Sequence, residues 1–178
     1  MLYHSAFHLI SNAVKKTGIS CVLIGGFAVN YYKFTRQSAD VDFLITEEGF
    51  NKIKKYLEQA GYTEESGQKV FMRLRNKRPD LMDIDFMFVD KDTLNKIILG
   101  AKEVSIAKYK FLIPSLMDMI ALKLHSLKHN FEMRRAKDLL DIVSLVKLNN
   151  IDAKTEEFRR LCLKYANEDI YQKILENI

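Results

Sequence analysis

Residues 21–43 read CVLIGGFAVNYYKFTRQSADVDF, and this stretch decides the fold. The apolar run at residues 22–24 stops at Gly25 and Gly26, and residues 27–34 have helical length with apolar side chains at helical spacing. Two successive glycines allow a tight turn and leave the backbone open to close approach by a ligand. These residues predict a strand, a glycine turn and a helix in direct succession.

The end of the stretch places two acidic side chains side by side. Residues 40–45 alternate, so Asp40 and Asp42 share one face of a strand while Val41 and Phe43 point to the other. Side chains two apart on a strand lie about 6.5 Å from each other. Two like charges at that range repel by about 2–3 kcal/mol at an effective dielectric near 20. Because Mg²⁺ (or Mn²⁺) removes this repulsion and prefers carboxylate, phosphate and water oxygens, we expect a metal site here.

The order of glycines and acids resembles the signature of a known superfamily. Ile24-Gly25-Gly26, thirteen residues and then Asp40-Val41-Asp42-Phe43 is similar to hG[GS]x(9–13)DhDh, the signature of DNA polymerase beta-like nucleotidyltransferases, in which h is hydrophobic. Arg36 and Ser38 lie where many members carry R-x-[ST]-x-D. The alternative is a Gly-Gly turn followed by a solvated strand end.

This resemblance implies a fold and a set of roles. The fold is α+β, a small mixed sheet flanked by helices, with a C-terminal helical bundle. Asp40 and Asp42 would be catalytic metal ligands, and the phosphates of a nucleoside triphosphate would be bound with the help of Gly25, Gly26, Arg36 and Ser38. The helix after the glycines would also direct free N–H groups toward a phosphate.

The resemblance to DNA polymerase beta-like enzymes also implies a third carboxylate, on a strand beside the first two. Residues 81–89 read LMDIDFMFV and predict a strand antiparallel to the one at residues 69–75. Either Asp83 or Asp85 meets the requirement. We prefer Asp85 as the third catalytic metal ligand, because the run that follows it resembles the h-D-h strand of the family.

From residue 113 onward the pattern is helical, and two segments resemble AbiEii-type toxins and related nucleotidyltransferase-like proteins. These segments are IPSLMDMIALKL, residues 113–124, and RRAKDLLDI, residues 134–142. The resemblance implies that Lys123 contacts triphosphate, that Asp138 lies close to the active site, and that a cognate antitoxin is a possible partner. The alternative is an exposed lysine and a helical acid in a surface cluster.

Composition limits the class of protein. The chain has 178 residues, 48% hydrophobic, with a net charge of +5 and a pI near 9.1, which suits a folded protein with a nucleotide or RNA partner. We expect a nucleotidyltransferase core at residues 1–112 and a packed helical region at 113–178. Cys21 and Cys162 fit buried thiols in a reducing compartment. With no membrane span or signal peptide in the pattern, we expect a cytoplasmic protein.

The predicted function is metal-dependent transfer of a nucleoside monophosphate from a nucleoside triphosphate to a hydroxyl group, with release of pyrophosphate. RNA and protein are the acceptors that the toxin resemblance implies. Two alternatives remain: a non-catalytic nucleotide- or RNA-binding module of the same fold, and an enzyme that modifies a small molecule such as an antibiotic. The glycine turn matches neither the dinucleotide fingerprint nor the P-loop, which disfavours dehydrogenases and P-loop NTPases.

Overall fold

The computed structural model describes residues 3–129 and 131–178, and the side chains of residues 3–128 and 136–178. Eight helices and seven strands are formed in this part of the chain. The helices are α1 (Ala6–Thr17), α2 (Gly25–Tyr31), α3 (Glu47–Gln59), α4 (Lys91–Gly100), α5 (Leu116–His129), α6 (Phe131–Leu148), α7 (Glu156–Tyr165) and α8 (Glu168–Glu176). The strands are β1 (Val22–Ile24), β2 (Asp40–Ile45), β3 (Tyr62–Gln68), β4 (Phe71–Asn76), β5 (Asp83–Phe88), β6 (Lys102–Ile106) and β7 (Tyr109–Ile113).

All seven strands form one mixed sheet, in the order β3-β4-β5-β2-β1-β7-β6. β2 runs parallel to β5 and β1 runs parallel to β7, whereas the other neighbouring pairs are antiparallel. The predicted mixed sheet and the predicted antiparallel pairing of β4 with β5 are therefore confirmed. The edge strand β3 was not expected, because its sequence YTEESGQ is polar almost throughout.

Two compact units make up the chain. Residues 1–28 and 37–115 form the sheet unit, and residues 29–36 and 116–178 form the helical unit. The chain passes from the first unit to the second within α2. The predicted division into two domains, at residues 1–112 and 113–178, remains a prediction.

The core of the sheet unit lies around the central strands. Phe43 on β2 and Phe86 on β5 are fully buried and stack with ring centroids 6.0 Å apart. Phe50 of α3 packs edge-on against Phe86 at 5.1 Å, and Phe7 of α1 packs against Phe111 of β7 at 5.7 Å. These apolar contacts cover the sheet with α1 and α3 and hold the strands that carry the acids.

In the helical unit, α5 packs against α6 and α7, and α8 packs against α6 and α7. The helical pattern predicted from residue 113 onward is confirmed, with α5 beginning at Leu116. Residues 134–135 of the second AbiEii-like segment lie outside the described side chains. Within the described residues, no helix combines the length and the apolar character that crossing a membrane requires.

Candidate functional site

Three carboxylates meet on two adjacent parallel strands of the sheet unit. Asp40 and Asp42 lie on β2, Asp85 lies on β5, and Asp42 is directly opposite Asp85 in the strand register. One oxygen from each of the three carboxylates lies within 4.8 Å of the others. Asp85 is only 3% exposed, while Asp40 and Asp42 are partly exposed. We refer to Asp40, Asp42 and Asp85 as the carboxylate cluster.

The strand register also separates the two candidates for the third carboxylate. Asp83 lies opposite Asp40, but it is outside the cluster and its Oδ2 atom accepts from Nε of Arg75 at 3.3 Å. Asp85 lies within the cluster. The geometry therefore agrees with the preference for Asp85, although its role as a metal ligand remains a prediction.

Gly25 is required by the position of Asp42. Ile24 pairs with Asp42 across β1 and β2, and Gly25 follows with φ of +65°. A Cβ atom at Gly25 would lie 1.9 Å from Oδ2 of Asp42, so that the Asp42 side chain would have to move. Gly26 is buried in the first turn of α2, which begins two residues before the predicted start at Phe27. Gly25, the first residue of the glycine pair, therefore lies in direct contact with Asp42.

Ser38 holds one carboxylate of the cluster. Its hydroxyl donates to Oδ1 of Asp40 at 3.1 Å. A serine hydroxyl has one proton to donate, so in this arrangement it orients a carboxylate. Its predicted contact with phosphate remains a prediction.

Arg73 of β4 belongs to a basic strand, and sequence reasoning did not assign it a carboxylate partner in this site. Its Nε and Nη2 atoms donate to Oδ1 and Oδ2 of Asp85 at 2.8 and 2.5 Å, and Nη2 lies 3.5 Å from Oδ2 of Asp40. Hydrogen bonding to Asp85 raises the pKa of Arg73 above its already high ordinary value. The signal was present, since Arg73 faces Asp85 in the β4–β5 register, but that register is not readable from the sequence.

The donor set of the cluster fits a divalent metal. Three carboxylates carry three negative charges, and the guanidinium of Arg73 offsets one of them. Carboxylate oxygens are the hard donors that Mg²⁺ and Mn²⁺ prefer. Asp40, Asp42 and Asp85 are the residues that would hold such an ion.

The helical unit contains a second group of charged residues, which we name the buried ion network: Arg36, Lys123, Asp138 and Asp141. The Nζ atom of Lys123 lies 2.6 Å from Oδ1 of Asp138 and 2.8 Å from Oδ2 of Asp141. Arg36 forms a two-point contact with Asp141, through Nε at 2.8 Å and Nη2 at 3.0 Å. The side chain of Asn30 holds the backbone of Arg36 with two hydrogen bonds of 2.9 Å.

The buried ion network corrects one interpretation of the sequence. Lys123 is 8% exposed and both aspartates are fully buried, so the alternative of an exposed lysine and acid in a surface cluster is wrong. Asp141 was missed as a member of the network. The signal was its spacing, because residues three apart on a helix lie on the same face as one another.

One atom of the network lacks a partner. Oδ2 of Asp138 is buried and accepts no hydrogen bond within the described part of the chain. Lys123 and Arg36 already have carboxylate partners here. Their predicted contacts with nucleotide, and the predicted position of Asp138 near the active site, remain predictions.

Both cysteines are buried free thiols, as predicted. Burial raises the pKa of Cys21 and of Cys162 from 9.0 to about 12. Because the thiolate is the nucleophile, neither residue is equipped for thiol catalysis near neutral pH.

The mixed sheet and the three carboxylates beside a glycine turn are the arrangement that the resemblance to nucleotidyltransferases implied. The chain belongs to a family described as uncharacterised nucleotidyltransferases, whose model matches residues 1–177. No curated protein matches the sequence.

Solved structures support the same fold. The antibiotic-resistance factor ANT(2'')-Ia, solved in complex with adenylyl-2''-tobramycin, has a TM-score of 0.65 at 15% identity, with 89% of this chain and 93% of that chain covered. The lincosamide antibiotic adenylyltransferase LnuA, solved with lincomycin, gives 0.55 at 18% identity, covering 78% and 93%. An antigenic nucleotidyltransferase-like protein from Paracoccidioides brasiliensis gives 0.55 at 13% identity, covering 95% and 89%.

At these identities the likeness establishes the fold. The prediction of an α+β nucleotidyltransferase is confirmed at the level of fold and family. The narrower resemblance to AbiEii-type toxins remains a prediction.

Proposed function

We propose that the protein transfers a nucleoside monophosphate from a nucleoside triphosphate to a hydroxyl group of an acceptor. The acceptor oxygen forms a bond to the α-phosphorus, the bond to the β-phosphate oxygen breaks, pyrophosphate leaves, and the hydroxyl proton passes to a base. The observation that carries the proposal is the carboxylate cluster, with three oxygens within 4.8 Å on adjacent strands beside Gly25.

The residues of the sheet unit have separate tasks in this proposal. Asp40, Asp42 and Asp85 hold divalent metal, which when bound supplies positive charge to the phosphate oxygens. Ser38 orients Asp40 through the 3.1 Å hydrogen bond, and Gly25 leaves the space that Asp42 occupies. Gly25, Gly26 and Ser38 are also the proposed phosphate-binding residues.

The proposal also assigns nucleotide binding to residues of the helical unit. Arg36 and Lys123 contribute positive charge, and Asp138 lies close to the reacting groups. In the ligand-free arrangement, Asp141 pairs with both cations. Asp141 therefore keeps Arg36 and Lys123 in fixed positions, which limits the entropy that they lose on binding an anion.

The narrower proposals concern the class of molecule that carries the acceptor hydroxyl group. The toxin resemblance favours RNA or protein as acceptor, with an antitoxin as partner. A small hydroxylated molecule is the second candidate, because two structural neighbours solved with an adenylylated antibiotic or with an antibiotic bound are matched over 93% of their length. This chain therefore aligns with most of the length of both proteins.

The first experiment tests transfer itself. Each of the four α-labelled nucleoside triphosphates is incubated with Mg²⁺ or Mn²⁺ and with total RNA, total protein, or a panel of aminoglycosides and lincosamides. We expect label transfer and pyrophosphate release with the wild-type protein and with Asp83→Asn, which alters an acid outside the cluster.

Asp42→Asn provides the decisive comparison in this experiment. It removes one charge from the cluster with little change in shape, and we expect it to lower turnover by at least a factor of about 100, since electrostatic stabilisation contributes this much or more. Undiminished turnover in Asp42→Asn would contradict the mechanism. Metal-dependent nucleotide binding without pyrophosphate release from any acceptor would favour the non-catalytic binding module.

A further inference from the structure

Arg73 forms an ion pair with Asp85, the buried member of the carboxylate cluster. Both oxygens of Asp85 accept from its guanidinium, at 2.8 and 2.5 Å, and the same group reaches Oδ2 of Asp40 at 3.5 Å. The Arg73 side chain is 33% exposed, whereas that of Asp85 is 3% exposed. A cation that belongs to the chain therefore contacts two of the three carboxylates that the proposed function assigns to metal.

This pairing has an electrostatic reason. A buried carboxylate without a counter-ion costs several kcal/mol, so Asp85 needs a cation before any metal arrives. A guanidinium in a two-point contact meets that need, because its planar fork matches the two carboxylate oxygens. The same contact uses the oxygens that a metal would require.

We propose that Arg73 is an internal counter-ion of the carboxylate cluster, which a divalent metal must displace from Asp85 in order to bind. The proposal rests on the proposed function, since it concerns the metal site of that reaction. Arg73 is a positioning residue in this scheme: it orients Asp85 in the metal-free protein and opposes metal binding at the same time.

The neighbouring ion pair provides a matched control. Arg75 lies two residues further along β4 and pairs with Asp83, which is outside the cluster. Its side chain is 60% exposed. Replacing Arg75 removes the same charge from the same strand without releasing a cluster carboxylate, so Arg75→Met reports the general effect of lost positive charge.

The experiment measures Mn²⁺ binding to the full chain by electron paramagnetic resonance, without nucleotide. We expect Arg73→Met to bind Mn²⁺ about tenfold more tightly than wild type, the change that corresponds to removing one charge-assisted competitor. Arg75→Met should remain within about twofold of wild type, as expected for an exposed charge. Adding Asp42→Asn to Arg73→Met should abolish the gain, which assigns it to the cluster.

The outcomes separate this inference from the proposed function. If wild type binds Mn²⁺ and Arg73→Met binds it no more tightly, Arg73 is only a structural partner of Asp85 and the inference is overturned while the metal site stands. If neither protein binds Mn²⁺, the metal site itself is wrong and the proposed function fails with it.

A folding readout covers the case in which Arg73→Met is unstable. In this variant Asp85 lacks a counter-ion, and Mn²⁺ should take the place of the missing guanidinium. We therefore expect circular dichroism to show that folding is restored as Mn²⁺ is added. Failure to fold at Mn²⁺ concentrations that saturate the wild-type protein would overturn the inference. Arg73→Lys keeps the charge without the fork, and its Mn²⁺ affinity should lie between those of wild type and Arg73→Met.

Discussion

At the scale of single residues, Gly25 connects the backbone to the candidate site. Its φ of +65° lies in the left-handed region, which side chains with a Cβ atom rarely adopt. The space that such an atom would fill is taken by the carboxylate of Asp42. Gly25 therefore meets two requirements at once, and only the second involves the carboxylate cluster.

A pair of alanine substitutions separates the two requirements. Gly18, at the C-terminal end of α1, has φ of +67° with no atom within 4 Å of a Cβ position. We expect Gly18→Ala to cost about 1–2 kcal/mol of unfolding free energy from backbone strain alone. Gly25→Ala should cost about 1–3 kcal/mol more, because Asp42 must move. Urea unfolding measures both losses.

Metal binding completes this comparison. Displacing Asp42 should weaken Mn²⁺ binding in Gly25→Ala, while Gly18→Ala should bind Mn²⁺ as wild type does. Equal losses of stability in the two variants, or wild-type Mn²⁺ affinity in Gly25→Ala, would show that the contact with Asp42 is unimportant.

The structure brings together three residues that are also neighbours in the sequence. Gly25, Asp40 and Asp42 lie within one stretch, where strand alternation and glycine chemistry act over a few positions. The partners of Arg73 and Asp141 were missed because they lie on other elements. The β4–β5 register brings Arg73 to Asp85, and the packing of α5 on α6 brings Lys123 to Asp141. Local patterns can place two residues on one face of an element, but they do not specify the partner on another element.

At the scale of elements, α6 contributes two fully buried acids to the helical unit. Among the side chains that the structure describes, Asp138 contacts one cation, Lys123, whereas Asp141 contacts both Lys123 and Arg36. A buried charge that loses its partner is strongly destabilising, even where the complete pair contributes little. Asp141 therefore holds together α5, α6 and the segment that carries Arg36.

We expect Asp141→Asn to lower the unfolding free energy by about 3–5 kcal/mol, because it leaves two cations short of a carboxylate. Asp169→Asn is the control, since Asp169 pairs with Lys173 on α8 but its side chain is 64% exposed. Chemical denaturation followed by circular dichroism measures both. A loss in Asp141→Asn no greater than that in Asp169→Asn would mean that the buried ion network does not stabilise the helical unit.

The elements themselves were predictable wherever they have an apolar face or a cap. Thr46 accepts from the backbone N–H of Gly49 at 3.0 Å and caps the start of α3, a signal that is local in the sequence. β3 has neither signal, because all its residues after Tyr62 are exposed at the edge of the sheet. The parallel pairing of β2 with β5 joins strands nearly forty residues apart, and no local pattern specifies it.

At the scale of the whole molecule, a basic chain contains an acidic site. The net charge is +5, yet the carboxylate cluster retains a local excess of negative charge even with Arg73 in place. The net positive charge of the chain favours the approach of an anionic nucleotide, whereas the carboxylate cluster repels the phosphates of that nucleotide. We therefore expect nucleotide to bind tightly only together with a divalent metal.

Thermal unfolding tests this dependence on metal. A ligand that binds only the folded chain at 100 times its Kd adds about 2.7 kcal/mol of stability. For a chain of 178 residues this corresponds to a rise in Tm of about 5–10 °C. We expect this rise when a nucleoside triphosphate and Mg²⁺ are added together, and its loss when EDTA removes the metal.

Asp83→Asn should show the full rise and Asp42→Asn almost none, since only Asp42 belongs to the cluster. A rise that survives EDTA, or that is equal in Asp42→Asn, would mean that nucleotide binds without the carboxylate cluster.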